Sequence, residues 1–170
     1  MRKFAGLILL FVLFSLVSVA QDFPKAEVFG GYQFSRQQST NLNGWNASLT
    51  GNYNHWFGVT GDFSGVYKSS GGLDFRSYTY TFGPTVASRS NETFTPFAHA
   101  LLGGFHQALE TGGTGLGTNN GFALIMGGGV DVKITPHLAA RLGQFDWMWF
   151  HTGGASSNIF RYSGGIVVRF

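Results

Sequence analysis

Cysteine is absent from the whole 170-residue chain. That excludes disulfides and a lipid-modified N-terminal cysteine. Charge is also scarce: Asp, Glu, Lys and Arg make up 11% of residues, and Lys and Glu are few. The formal net charge is +3, from eleven basic and eight acidic residues. Arg2 and Lys3 belong to a leader-like start, and without them nine basic residues face eight acidic ones. A balance of +1 leaves no electrostatic footprint for nucleic acid. Long apolar runs are missing after residue 20, so no segment there supplies the ~20 residues of a membrane-spanning helix.

The start of the chain reads as an export signal. Arg2 and Lys3 precede an apolar-to-small run over residues 4–17, followed by Ser18-Val19-Ala20. This is a charged region, a hydrophobic region and a small-x-small cleavage site. A membrane anchor is the competing reading, but the run falls short of the ~20 residues a span needs. The expectation is a signal peptide over residues 1–20, with residues 21–170 as one domain.

What the chain does have is glycine, aromatics and alternation. It holds 26 Gly and 18 Phe. Counting back from Phe170, every second residue is Val168, Ile166, Gly164, Tyr162 and Phe160, with Arg169, Val167, Gly165, Ser163 and Arg161 between them. A strand sends alternate side chains to opposite faces, so one face is apolar and the other mostly small or charged. Residues 45–53 repeat the pattern: Trp45, Ala47, Leu49, Gly51 and Tyr53 against Asn46, Ser48, Thr50 and Asn52. Aromatics at both ends of an apolar face are typical of membrane girdles. Similar segments lie near 25–35, 57–67, 75–86, 96–105, 121–134 and 138–147. Eight strand-plus-connection units divide the 150 residues after the signal. The fold class expected is therefore all-β, an eight-stranded antiparallel up-and-down transmembrane β-barrel.

Two strands are ambiguous in phase. In 96–105, Ala98, Ala100 and Leu102 face lipid if His99 faces inward, and the opposite parity is also open. In 138–147, Arg141 and Asp146 have opposite parity, and both point inward only if a bulge sits near Gly143-Gln144. Polar loops are expected over residues 35–43, 68–74, 106–120 and 148–158. The connections near Asn54-His55 and Pro136-His137 are tight. This long–short alternation suits outer loops and periplasmic turns, and an even strand number puts both chain ends on the periplasmic side.

A sheet crossing lipid must close, because the bilayer core cannot satisfy free backbone groups. The inward face would collect Asn, Ser, Thr, Asp, Glu and Arg. An eight-stranded barrel is about wide enough for side chains to fill, so the interior is expected to be a polar plug. Its charges should pair. Closure brings Glu27 beside Arg169, Asp131 and Arg141 flank one turn, and Asp62 lies near mid-depth with no readable partner.

These features resemble the outer-membrane protein β-barrel domain family, the barrels similar to outer-membrane protein A. FGGYQFS, WFGVTGDFSGVY, TPFAHALLGG and the terminal FRYSGGIVVRF carry the resemblance. It implies an integral protein of the cell outer membrane, in contact with its lipids and lipopolysaccharide, inserted by the barrel-assembly machinery and working as a monomer. It implies that Tyr162, Ile166, Val168 and Phe170 form the assembly signal. Longer relatives carry a peptidoglycan-binding domain after the barrel. The chain stops at Phe170, so cell-wall tethering does not carry over.

No cofactor or metal is expected. His55, His99, His106, His137 and His151 show no HxxxH or HExxH spacing. The stretch Gly113-Thr-Gly-Leu-Gly117 lacks the strand, helix and Lys of a phosphate loop. No catalytic residue is assigned. His151 with Ser156 or Ser157 could form part of a lipid-modifying site, but no acid is placed to orient the His. The expected role is structural or surface-interacting. The alternatives are a narrow channel, a lipid-modifying enzyme, and a soluble lipocalin-like barrel with apolar residues inside.

Overall fold

The computed structural model describes residues 23–37, 40–111 and 114–170. The expected signal peptide lies outside the described residues. The described chain forms eight strands: β1 (Ala26–Gln37), β2 (Thr40–Asn52), β3 (Phe57–Ser70), β4 (Leu73–Ala87), β5 (Phe94–Thr111), β6 (Thr114–Thr135), β7 (Leu138–Thr152) and β8 (Ala155–Arg169). Each pairs antiparallel with its sequence neighbour, and β8 closes on β1. The seam runs to the last residue: Lys25 N donates to Phe170 O at 2.7 Å, and Phe170 N donates to Ala26 O at 2.9 Å. This is the eight-stranded up-and-down barrel expected from the alternation.

The facing of the strands decides what surrounds the barrel. Val28, Leu49, Val59, Phe63, Phe82, Leu102, Met126, Phe145 and Ile166 all point outward and are exposed. Asn46, Ser48, Thr60, Asp62, Thr81, Asp131, Arg161 and Ser163 point inward and are buried. A lipocalin-type barrel has the reverse arrangement. An apolar wall around a polar middle is stable only where the surroundings are apolar too.

Both phase questions are resolved by register. His99 faces inward on β5, with Leu101 and Phe105 on the same side, while Ala98, Ala100 and Leu102 face outward. On β7 the register with β8 slips between Arg141 and Gln144, so Arg141 pairs with Gly165 and Gln144 with Ser163. The extra residue is a bulge, and it turns Arg141, Gln144 and Asp146 to one side. The Tyr162 hydroxyl donates to the bulge carbonyl of Leu142 at 2.7 Å.

The loops differ from expectation. Strands run through nearly all of residues 35–43, 68–74, 106–120 and 148–158. Two residues connect β3 to β4 and two connect β7 to β8. These are Gly71-Gly72 (φ 60° and 83°) and Gly153-Gly154 (φ 53° and 96°). Positive φ at both central residues is the hairpin turn whose twist matches its strands. By contrast, residues 53–56 and 88–93 at the other end are longer connections. Among the described residues the tight Pro136-His137 connection is as expected, but the long outer loops after β3 and β7 are not found, and strand overhang replaces them. A spanning strand needs about 9–11 residues, whereas β5 has 18 and β6 has 22. The change from apolar to polar outward residues marks where the wall leaves lipid. It does not mark where the ladder stops, because Ser, Thr and Asn hold a ladder in water.

The overhang is uneven. β3, β4, β5 and β6 stay paired to their tips, with Ser70 opposite Leu73, Leu73 opposite Thr111 and Thr111 opposite Thr114. Pairing of β6 with β7 ends at Phe122 and His151. A four-stranded sheet thus continues beyond the last β6–β7 pair.

Candidate functional site

Among the described residues, charged and polar side chains converge in the lumen, and the lumen is layered. Nearest the chain ends, Glu27 accepts from Arg169 Nε at 3.1 Å, from Asn52 Nδ2 at 2.8 Å, and from Arg89. Arg89 reaches in from the connection after β4 and also donates to the His55 carbonyl at 2.7 Å. Asp131 receives both arms of Arg141, Nε at 2.8 Å and a terminal nitrogen at 3.1 Å. Arg169 lies 3.7 Å from the same carboxylate. The Arg141 guanidinium is sandwiched by Phe29 and Phe97, 4.3 and 4.2 Å from the ring centres.

The middle layer is drier. Arg161 is fully buried; its Nε donates to Asp146 at 2.7 Å and a terminal nitrogen donates to Asp62 at 2.8 Å. Asn46 donates to the other oxygen of Asp62 at 2.8 Å. His99 Nε2 lies 2.8 Å from Asp146, and Gln144 bridges the layers, donating to Asp146 at 2.7 Å and accepting from Arg141 at 2.7 Å. The two layers are therefore one network. Four carboxylates (Glu27, Asp62, Asp131, Asp146) face four guanidinium groups (Arg89, Arg141, Arg161, Arg169). Neutrality matters because an unpaired charge in a low-dielectric interior costs several kcal/mol.

The far layer is apolar along β5 to β8, which corrects the expectation of a polar plug throughout, while Gln33, Ser35, Ser64, Ser77 and Thr79 line its β1 to β4 side. Leu101, Phe105, Ala123, Ile125, Met148, Phe150 and Ile159 form one buried cluster inside the barrel. Phe105 and Phe150 stack with ring centres 4.6 Å apart. Leu101, Phe105, Ala123 and Ile125 hold the inward parity of the strands expected over 96–105 and 121–134, and Met148 and Phe150 join them because β7 extends past its expected end.

Of the residues singled out from sequence, Glu27, Asp131, Arg141 and Arg169 come together in one cluster, and Asp62 sits in the layer beyond. Four further members were not singled out. Arg161 has the inward parity of β8, but its partner Asp62 lies 99 residues away on the opposite wall. Asp146 became readable only with the bulge, and His99 only with the phase of β5. Arg89 sits in a polar turn, where nothing in the sequence points it inward.

Among the described residues the lumen contains small cavities. One, of about 20 Å³, is lined by Glu27, Asn52, Thr60, Arg89, Asp131 and Arg141. Another, of about 10 Å³, lies against Gln33, Ser64, Val66, Ser77 and Met148. Each has room for about one water at most. Neither is large enough for a solute.

The outer wall carries aromatic rows. Trp45 Nε1 donates to the Tyr67 hydroxyl at 3.1 Å, Tyr67 meets Tyr78 edge-on at 6.0 Å, and the Tyr32 hydroxyl donates to Asn43 at 2.6 Å. Tyr53, Trp56, Phe94 and Phe170 are exposed at the other end. Tyr162, Ile166, Val168 and Phe170 share the outward face of the closing strand and its end. His151 Nδ1 lies 3.0 Å from Ser156 Oγ on this wall, and no carboxylate bonds to His151 among the described residues. Among the described residues no group of three or more His, Asp or Glu could hold a metal. Residues 114–117 of the glycine-rich stretch are strand.

The chain matches no protein-family model. No curated protein matches it in sequence. Solved structures do match in shape. Neisserial surface protein A aligns with a TM-score of 0.64 and 14% identity, over 85% of this chain and 96% of that one. The attachment invasion locus protein Ail of Yersinia pestis aligns with a TM-score of 0.56 and 20% identity, over 85% and 99%. The N-terminal β-barrel domain of Pseudomonas aeruginosa OprF gives 0.59 and 11%, over 88% and 100%. The fold is that of the small outer-membrane barrels. At these identities the likeness speaks to architecture, and the role must be argued from this chain's own residues.

Proposed function

We propose that the protein is an integral outer-membrane barrel with a structural and surface-interaction role. The observation that carries this reading is the closed barrel with an apolar, aromatic-rimmed wall and a neutral ion network inside. Such a wall is soluble only in lipid, and such a lumen passes nothing. The strands overrun the bilayer at one end only, so the protein's working surface is that overhang. The outer leaflet places lipopolysaccharide against the wall there. Tyr162, Ile166, Val168 and Phe170 serve as the assembly signal read by the barrel-assembly machinery, and the barrel works as a monomer without a cofactor. Similar barrels have been solved with sucrose octasulfate, a heparin analogue, in the case of Ail. That is in keeping with an outer end that meets external molecules.

An enzymatic role has weaker support. The His151–Ser156 pair has a nucleophile and a base within reach, but it lacks the orienting acid that makes such a pair reactive.

Fractionation of cells, followed by gels with and without boiling, tests the membrane reading. The expected result is a detergent-extracted outer-membrane band whose mobility shifts on heating. A soluble periplasmic protein with no shift would overturn it.

A further inference from the structure

The wall is not smooth at the end that carries the chain termini. Between the β2–β3 and β4–β5 connections lies an open groove of about 470 Å³. Its floor is Val86, Pro96 and Ala98, all exposed on the outward face, and Trp56 stands at one side. The groove is preformed, because its two lips are tied together. Ala87 N donates to the Trp56 carbonyl at 2.8 Å, and Arg89 donates to the His55 carbonyl at 2.7 Å. The apolar floor continues the lipid-facing wall, whereas Ser88 and Ser90 line the groove from the connection that leaves the wall. Polarity therefore changes along the groove, at the end where Tyr53, Trp56, Phe94 and Phe170 are exposed.

One polar group in this lining has lost its partner. Ser88 N donates to the Pro96 carbonyl at 2.9 Å. In an antiparallel ladder such a pair exchanges two bonds, but Pro96 has no N–H to return. Among the described residues the Ser88 carbonyl therefore has no ladder donor, and Ser88 and Pro96 both line the groove. The positive charge in the lining is already committed: Arg89 is paired with buried Glu27, and Glu92 is exposed on the same connection. The groove thus offers a headgroup one free acceptor and the Ser88–Ser90 hydroxyls, which lie 3.5 Å apart, but no uncommitted guanidinium or ammonium.

We propose that this groove holds one glycerophospholipid of the periplasmic leaflet, selected for a primary ammonium headgroup. An acyl chain lies on Val86, Pro96 and Ala98 beside Trp56, where it covers apolar surface that the flat wall does not enclose. The headgroup ammonium donates to the Ser88 carbonyl, and a serine hydroxyl donates to the phosphate. A buried acceptor without a donor is costly, so the lipid that supplies an N–H is favoured. A quaternary ammonium has no N–H to give. A purely anionic headgroup meets an arginine already neutralised by Glu27, with Glu92 nearby. The inference rests on the membrane reading, which sets the groove against lipid. The groove and its unpaired carbonyl belong to the fold.

The test places the full barrel in nanodiscs that contain a small fraction of phospholipid brominated on its acyl chains, which quenches a neighbouring Trp. Trp45→Phe, Trp147→Phe and Trp149→Phe together leave Trp56 as the reporter. Brominated phosphatidylethanolamine should quench Trp56 with roughly fivefold higher apparent affinity than brominated phosphatidylcholine, about what one net hydrogen bond supplies. Brominated phosphatidylglycerol should do no better than phosphatidylcholine. A barrel that keeps Trp45 in place of Trp56, at the opposite belt, should show no preference. Pro96→Ala returns an N–H to the Ser88 carbonyl, and it should abolish the preference at Trp56 while the heat-shifted band remains. Ala98→Phe fills the floor and should do the same. Equal quenching of Trp56 by the two zwitterionic lipids, stronger quenching by phosphatidylglycerol, or a preference that survives Pro96→Ala overturns the proposal. So does a Trp56 shielded from every brominated lipid, which would mean that a protein surface covers the groove. Failure of the chain to enter nanodiscs as a heat-shifting barrel would instead count against the membrane reading.

Discussion

Removing Arg161 should unmask what the neutral lumen is for. Its guanidinium is wholly buried between Asp62 and Asp146. Arg161→Met keeps much of the side-chain volume and leaves two buried carboxylates short of a counter-charge. Breaking a buried pair from one side costs about 3–5 kcal/mol. Asp62 would keep only Asn46 as a partner, while Asp146 would keep His99 and Gln144. The larger share of the cost therefore belongs to Asp62, and neutralising it should recover part of the loss. The double variant Arg161→Met/Asp62→Asn restores three carboxylates against three guanidinium groups. We expect it to be more stable than Arg161→Met alone by about 1–3 kcal/mol, the range of coupling between residues in contact. Urea titration in lipid vesicles, followed by fluorescence of the four Trp, reads both numbers. If the two substitutions add, so that the double variant is less stable than either single one, the charge-balance argument fails. Arg161 would then matter through packing alone.

Three other outcomes follow from the same structure. Leu49 faces outward on β2, midway between Trp45 and Tyr53 just past the strand's end, so Leu49→Arg should destabilise by about 2–4 kcal/mol in a bilayer. Ser48→Ala, one residue away and inward, should be mild in the same titration, and equal effects would overturn the facing. At Gly127 a Cβ would fall 2.0 Å from Asp146 Oδ1 and 2.4 Å from the Phe145 carbonyl, whereas at Gly30 nothing lies within 4 Å. Gly127→Ala should therefore cost about 1–3 kcal/mol, with Gly30→Ala near neutral in vesicle unfolding. Phe170→Ser should lower the yield of heat-shifting barrel in cells while leaving the unfolding midpoint of the assembled fraction nearly unchanged. A lowered midpoint would make Phe170 a packing residue instead of an assembly signal.

Much of the barrel is legible in the sequence because its two solvents differ so sharply. Where β2 passes through lipid, Trp45, Leu49 and Tyr53 alternate with Asn46, Ser48 and Asn52, and side-chain polarity reports facing directly. Glu27 and Arg169 can be brought together from closure alone, since strand eight must lie beside strand one. Legibility fails where that contrast ends. Beyond the bilayer both faces of a strand meet water, so residues 106–120 lose their alternation and read as a loop, yet the ladder continues through most of them. It fails again across the lumen. Arg161 reaches Asp62 from β8 to β3 through side-chain length and barrel diameter, which no spacing in the chain encodes. Arg89 enters from a turn, where no period of two applies.

The layering of the lumen bears on the channel alternative. A conducting path would need the Asp62–Arg161–Asp146 bridge to part and water to cross the cluster of Leu101, Phe105, Ile125, Met148 and Phe150. Parting the bridge exposes buried charge at a cost of several kcal/mol. Wetting the cluster gives up burial worth roughly 1.5–3 kcal/mol for each large side chain. The two costs fall on adjacent layers, and loosening the ion bridge alone leaves the apolar cluster packed beside it. A polar plug throughout could loosen one ion pair at a time, whereas here the apolar cluster closes the β5 to β8 side of the lumen and close packing against Gln33, Ser64, Ser77 and Thr79 closes the other. We therefore expect no conductance steps from the wild-type barrel in planar bilayers, and none from Asp62→Asn, which leaves the apolar layer whole. Steps that appear in Asp62→Asn would mean that the ion network alone closes the lumen and that the apolar cap is no barrier.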